Sequence, residues 1–193
     1  MSRFEIKIAG LGGQGIVLAS VIVGTAASLH SGKNAAQVQS YGPEARGGAC
    51  KAEVVISDEA IDYPKVKRPD VLAVMSQEAY DRYVHEVKPG GILILDPDMI
   101  MKTRPQENAR VYPVPATRMA ERLGRKIVAN MVMVGALTAV AEPLKMEAIE
   151  KAIADRVPRG TEKLNIEASK QGYEYVKRLL DEEKHAHRVG EAQ

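Results

Sequence analysis

The sequence predicts an α/β fold, a doubly wound and mainly parallel sheet with helices on both faces and one antiparallel or edge strand. Three observations carry this. Residues 4–9 alternate apolar and charged side chains, then pass through Gly10-Leu11-Gly12-Gly13-Gln14-Gly15 into an apolar helix. Residues 70–75 and 92–95 are continuous apolar runs, the pattern of central parallel strands, with a helical segment between them. Residues 49–58 instead alternate Cys50, Ala52, Val54 and Ile56 with Lys51, Glu53 and Ser57. That pattern predicts one solvated face, hence an antiparallel or edge strand.

The glycines fit G-x-G-x-x-G, which makes the unit Rossmann-like. The first glycine allows the tight turn, the second a close approach to phosphate, and the third close packing of helix on strand. The helix over 16–29 is apolar on nearly every face and ends at Gly32, a predicted C-terminal cap. A nicotinamide site would carry an acid about 20 residues past the glycines. The short strand 37–41 offers none, and the first acid is Glu44, already in a turn.

Tyr41-Gly42-Pro43-Glu44-Ala45-Arg46-Gly47-Gly48 is a second glycine-rich loop. Arg46 either pairs with Glu44 or meets an anion, since a guanidinium fork suits phosphate or carboxylate. Ser76 is a predicted N-cap for a helix through His85. Lys88-Pro89-Gly90-Gly91 turns the chain back into the 92–95 strand, and Asp96-Pro97-Asp98 follows it. The two acids suit turn and cap chemistry better than metal or ribose binding.

Residues 111–114 form a short strand and 117–123 a short helix. Residues 127–141 form a second buried helix, in which Asn130 is the one strongly polar residue. It is either satisfied by neighbouring backbone or reaches a ligand or partner subunit. A helix over 146–154 follows, and Thr161 opens the last helix, whose Leu164, Ala168, Gly172, Tyr175, Val176, Leu179 and Leu180 lie on one stripe. From Lys184 the chain reads as a polar tail, and His185 and His187 in it as solvated.

Composition bounds the function. The chain has 193 residues, enough for one domain. With one Phe and no Trp, its core must be aliphatic. A net charge of +2 and no basic stripe with interleaved aromatics argue against nucleic acid. The one cysteine, Cys50, rules out an internal disulfide and a complete four-cysteine cluster or zinc site. No signal peptide and no membrane span are predicted, so a cytoplasmic protein is expected. No catalytic residue and no metal site are read.

By its motifs the sequence resembles the gamma subunits of 2-oxoacid:ferredoxin oxidoreductases, in the 2-oxoglutarate or keto acid branch of the pyruvate/ketoisovalerate oxidoreductase gamma family. The two glycine loops carry the resemblance, together with Pro69-Asp70-Val71-Leu72, Lys88-Pro89-Gly90-Gly91, Ala129-Asn130-Met131-Val132, Asn165 and Gly172. It implies one gamma-type domain over 1–184, with 185–193 as the polar tail. It also implies a multi-subunit enzyme that decarboxylates a 2-oxoacid, passes the acyl group to coenzyme A and sends electrons to ferredoxin. Thiamine diphosphate, Mg²⁺ and iron–sulfur clusters would then lie on partner subunits: alpha and beta chains that bind thiamine, and a ferredoxin-like chain.

The expected ligand region is Gly10, Gly12, Gly13, Gln14, Gly15, Glu44, Arg46, Gly47 and Asn130, serving the coenzyme A side of the active site. Two alternatives stand beside this, a free-standing NAD- or FAD-dependent oxidoreductase and an assembly scaffold without ligand. Two helices apolar all round predict that other chains cover part of the surface, with homo-oligomers when the chain is alone.

Overall fold

The computed structural model describes residues 3–40 and 48–190, with side chains described through Ala186. In order, the elements are β1 (Phe4–Leu11), α1 (Ile16–Ser31), β2 (Asn34–Ser40), β3 (Ala49–Ser57), β4 (Val71–Val74) and α2 (Gln77–Tyr83). Then come β5 (Gly91–Leu95), β6 (Ala109–Pro113), α3 (Ala116–Arg122), α4 (Ala129–Val140), α5 (Met146–Arg156) and α6 (Glu162–Gly190). The six strands form one sheet in the order β2-β3-β1-β4-β5-β6. β1 is parallel to β4, with Ile8 opposite Ala73, and antiparallel to β3, with Ile8 opposite Ala52. β3 is also antiparallel to β2, so it alone runs against the sheet, and it does so from an interior position.

Helices lie on both faces, as the apolar runs predict. α1, α4, α5 and α6 share a core with Ile6, Ile8, Val54 and Ile94, while α2 packs its Ala79 and Tyr80 against Leu72 and Leu93 on the other face. Gly32 caps α1 in the left-handed conformation, its N–H donating to the Ala27 carbonyl. Ser76 caps α2 through a 3.2 Å bond from the Ala79 N–H.

Several expectations are corrected at element ends. β2 begins at Asn34 rather than Gln37, because the whole segment pairs with β3. The buried 127–141 segment opens as a 3₁₀ turn, Lys126–Val128, which makes Asn130 the second residue of α4. Thr161 directly precedes α6, but its hydroxyl donates to the Pro158 carbonyl at 2.7 Å. α6 continues to Gly190, so the polar segment from Lys184 is helical and exposed through Ala186.

The larger correction is β3, where no face is solvated and only Lys51 is partly exposed. Its charged positions meet a buried ion cluster. Lys7 on β1, 1% exposed, places its ammonium 3.2 Å from Glu53 and also binds Glu86. Lys51 reaches the same Glu53 oxygen at 2.6 Å, and the Val66 N–H donates to the other at 3.2 Å. The ring of Tyr83 lies 5.6 Å from each ammonium. Charges alternate on β3 because they pair across strands, not because water covers them.

α4 and α6 meet backbone to backbone. A Cβ on Gly135 would lie 1.7 Å from the Ser169 carbonyl oxygen, and one on Gly172 would lie 1.9 Å from that of Val132. Gly24 in α1 has open space around it.

Two outcomes follow. Gly172→Ala should destabilise the chain by about 3 kcal/mol or more, the upper end for overpacking, since backbone cannot rotate aside. Gly24→Ala should stabilise it by up to about 1 kcal/mol; urea denaturation of both variants checks the contrast. Burial alone would push the Glu53 carboxyl up, but the bonds from Lys51 and Val66 and the charges of Lys7 and Lys51 hold it below its ordinary 4.5. Its contribution is therefore fully present above that pH and is lost as pH falls through the lowered value. Glu53→Gln should flatten the acid side of the stability profile below about pH 4.5, measured by denaturant midpoints across pH.

Candidate functional site

The chain reverses direction across the sheet between β1 and β4, because β1 leads outward to β2 and β3 before the chain crosses to β4. Such a switch point opens a crevice at the carboxyl ends of the strands. Here the glycine turn lines it. A cavity of about 300 Å³ is bounded by Gly13, Gln14, Met75, Thr117, Lys126 and Ile127.

The turn holds itself in shape. The Gln14 side-chain oxygen accepts from the Leu11 N–H at 2.7 Å, and its NH₂ donates to the Met75 carbonyl at 2.9 Å. A Cβ on Gly10 would lie 2.4 Å from that oxygen, so the first glycine makes room for the glutamine. Gly15 sits at φ 74 as the N-cap of α1. The Asn130 NH₂ donates to its carbonyl at 3.2 Å, and a Cβ on Gly15 would come within 2.2 Å of that nitrogen. The third glycine thus serves close packing against α4 in addition to its left-handed backbone.

The structure therefore brings Gly10, Gly12, Gly13, Gln14, Gly15 and Asn130 together. Asn130 is satisfied by backbone, as one of its two sequence readings expects. Glu44, Arg46 and Gly47 lie outside the described residues. Gly48, which closes the second loop, accepts from the Gly12 N–H at 3.3 Å, so the two loops are joined at that point.

Electrostatically the crevice favours an anion. α1 opens without a side-chain cap and without an acid in its first turn, and α4 does the same. Each of these helix N-termini therefore carries partial positive charge with no acid of its own first turn against it. Lys126 stands at the rim, its nearest carboxylate Glu121 being 3.8 Å away. Ile127 beside it is 58% exposed.

Thr117, Lys126, Ile127 and Met75 were not legible as site residues. They come from three separate places, the end of β4, α3 and the 3₁₀ turn before α4, and no spacing in the sequence links those.

The two acids after β5 behave as capping groups. Asp96 accepts from the Thr117 N–H at 2.8 Å, the Thr117 hydroxyl at 2.6 Å and the Asp98 N–H at 3.0 Å. Burial pushes its carboxyl up against the pull of those bonds. Asp98 pairs with Arg118. Among the described residues no group of three or more His, Cys, Asp or Glu side chains could hold a metal ion. Cys50 is buried on β3, and burial pushes its thiol up.

Residues 5–175 match the family model of pyruvate ferredoxin/flavodoxin oxidoreductase. The chain belongs to that family. The match covers most of the chain, as the resemblance read from the sequence implies.

Among its relatives, 2-oxoglutarate synthase subunit KorC of Methanocaldococcus jannaschii is 52% identical over 179 residues, spanning 92% of this chain and 96% of that one. The structure of a keto/oxoacid ferredoxin oxidoreductase gamma subunit from Geobacter sulfurreducens superposes with a TM-score of 0.80 at 42% identity, covering 90% of this chain and 98% of that one. A 2-oxoglutarate:ferredoxin oxidoreductase from Magnetococcus marinus, solved with 2-oxoglutarate, coenzyme A and succinyl-CoA bound, gives a TM-score of 0.83 at 23% identity. The match covers 92% of this chain and 32% of that one, and it shows the shared fold.

The gamma-subunit resemblance is borne out, and with it the reading of this oxidoreductase-family chain as one subunit of a larger enzyme. The free-standing NAD or FAD reading is not favoured. β2 carries no Asp or Glu that could hold the ribose of a dinucleotide. Among the described residues no helix is long and apolar enough to cross a membrane.

The Gln14–Gly10 fit makes a cyclic test. Gly10→Ala alone should cost about 1–3 kcal/mol through overpacking, and Gln14→Ala about 1–3 kcal/mol by stranding Leu11 and Met75. The double variant should cost clearly less than the sum, because the new methyl enters the vacated space. Additive losses in urea denaturation would refute the fit.

Proposed function

We propose that this chain is the gamma subunit of an oxidoreductase acting on 2-oxoglutarate, and that its switch-point crevice receives the phosphate-bearing part of coenzyme A. The reading of the substrate rests on the 2-oxoglutarate synthase relatives. The carrying observation for the site is the pair of acid-free helix N-termini opening, with Lys126, on one crevice.

Of the donors expected in the turn, the Gly12 and Gln14 N–H groups are taken by the Gly48 and Leu11 carbonyls, which leaves the Gly13 N–H and the α1 N-terminus to hold an anion without adding a titrating group. Arg46 would add a guanidinium from the second loop, whose end is tied to the first through Gly12 and Gly48. Coenzyme A is a substrate here, and the chain orients it. The single cysteine cannot hold an iron–sulfur cluster, so the clusters would lie on a ferredoxin-like partner, and the family resemblance implies thiamine diphosphate and Mg²⁺ on thiamine-binding alpha and beta chains. A cytoplasmic location goes with this reading, since coenzyme A and ferredoxin are found there.

Steady-state kinetics of the assembled enzyme test the site. Arg46→Ala should raise the KM for coenzyme A by roughly ten- to a hundredfold, the loss of about 1.5–3 kcal/mol expected for a hydrogen bond to a charged group. Lys126→Ala should raise it by only a few-fold, since an exposed ammonium is screened by water. The KM for the 2-oxoacid should not move. An unchanged coenzyme A constant in both variants, with assembly intact, would leave the chain as a scaffold.

A further inference from the structure

β6 ends the sheet, and its outer edge is open among the described residues. The Gly90 N–H donates to the Asn108 carbonyl at 2.6 Å, and the Val114 N–H donates to the Leu95 carbonyl at 2.8 Å. Even-numbered residues therefore direct their backbone groups to β5. By alternation, Ala109 and Val111 direct N–H and C=O outward, and Pro113 its C=O. Proline stands where it removes no bond within the sheet.

A cavity flanks this edge on each face. On the α2 side, Tyr80, Leu95, Ile100, Met101 and Val111 bound about 420 Å³, with Met101 82% exposed. On the α6 side, Arg110, Leu180, Glu183, Lys184 and Ala186 bound about 610 Å³. Arg110 and Val111 are successive residues and so point to opposite faces. A strand laid along β6 would drop alternate side chains into the two cavities in turn.

The rim selects the partner. Lys102, Arg104, Arg110 and Lys184 are exposed around the edge. The acids there are Asp181, which pairs with Lys184 at 3.7 Å, Glu183, engaged by the Tyr112 hydroxyl at 2.9 Å, and Glu107. Pairing β6 with β6 of a second copy would set these cations against their own kind. We propose that the β6 edge docks an extended segment of another subunit, apolar at alternate positions and acidic between them, as a seventh strand. This rests on the multi-subunit reading and is independent of the coenzyme A site.

Hydrogen exchange read by mass spectrometry tests it, comparing the isolated chain with the complex assembled from its co-encoded subunits. The amides of Ala109 and Val111 should exchange at least roughly tenfold more slowly in the complex. A chain carrying both Arg104→Glu and Arg110→Glu should keep its circular dichroism when isolated. It should assemble roughly tenfold or more weakly, as charge reversal at a complementary edge demands. Normal assembly by this variant, or unprotected Val111 in the complex, would overturn the docking site. Protection of Val111 that rises with concentration in the isolated chain would overturn the acidic partner in favour of a second copy. Failure to assemble with any subunit would instead sink the multi-subunit reading itself.

Discussion

The site depends on two glycines that touch no part of it. Gly135 and Gly172 let α4 and α6 approach until carbonyl oxygens of each helix occupy the space of the other's missing side chain. That contact fixes where α4 begins. Its second residue, Asn130, then holds the Gly15 carbonyl, and Gly15 sets the start of α1 and the end of the glycine turn. Positioning runs from a helix crossing, through one amide, to the backbone donors of the crevice. An ångström of relaxation at the crossing would move an entire helix terminus.

Much of this was legible because burial leaves a periodic trace. The first strand, its glycine turn, and the apolar runs that became β4 and β5 are set by repeats that admit one reading. The β3 segment shows where that logic fails. Alternating Lys51 and Glu53 looks like a solvated face, and only the distant Lys7 and Glu86 reveal that the charges are paired in the interior. Element ends were misplaced for a related reason. Polar residues after Lys184 do not stop a helix with no proline or glycine before Gly190, and the stop signals of periodicity and hydropathy are silent there.

The candidate site was half legible. Gly10, Gly12, Gly13, Gln14 and Gly15 announce themselves by spacing, and Asn130 by being polar in an apolar helix. Their division of labour does not. A glycine motif is commonly read as room for a ligand, yet here Gly10 gives its space to Gln14 and Gly15 gives its space to Asn130. Of the turn's residues, Gly13 and Gln14 line the cavity. Lys126 and Ile127 complete the rim from a 3₁₀ turn whose sequence resembles the start of the helix behind it.

The reversed direction of β3 decides from which end the chain re-enters the sheet. β2 and β3 form an antiparallel pair, with Ser40 opposite Lys51, so the segment between them starts and finishes at the same end of the sheet as Leu11. A parallel β3 would have needed a crossover of a dozen residues or more, delivering the chain from the opposite end. The antiparallel pair instead returns the chain to the glycine turn, where the Gly12 N–H meets the Gly48 carbonyl. Lengthening a loop between fixed ends is cheap, about 0.6 kcal/mol for each doubling. An insertion between Ser40 and Gly48 would therefore leave both ladders of β3 in register and the glycine turn where it stands.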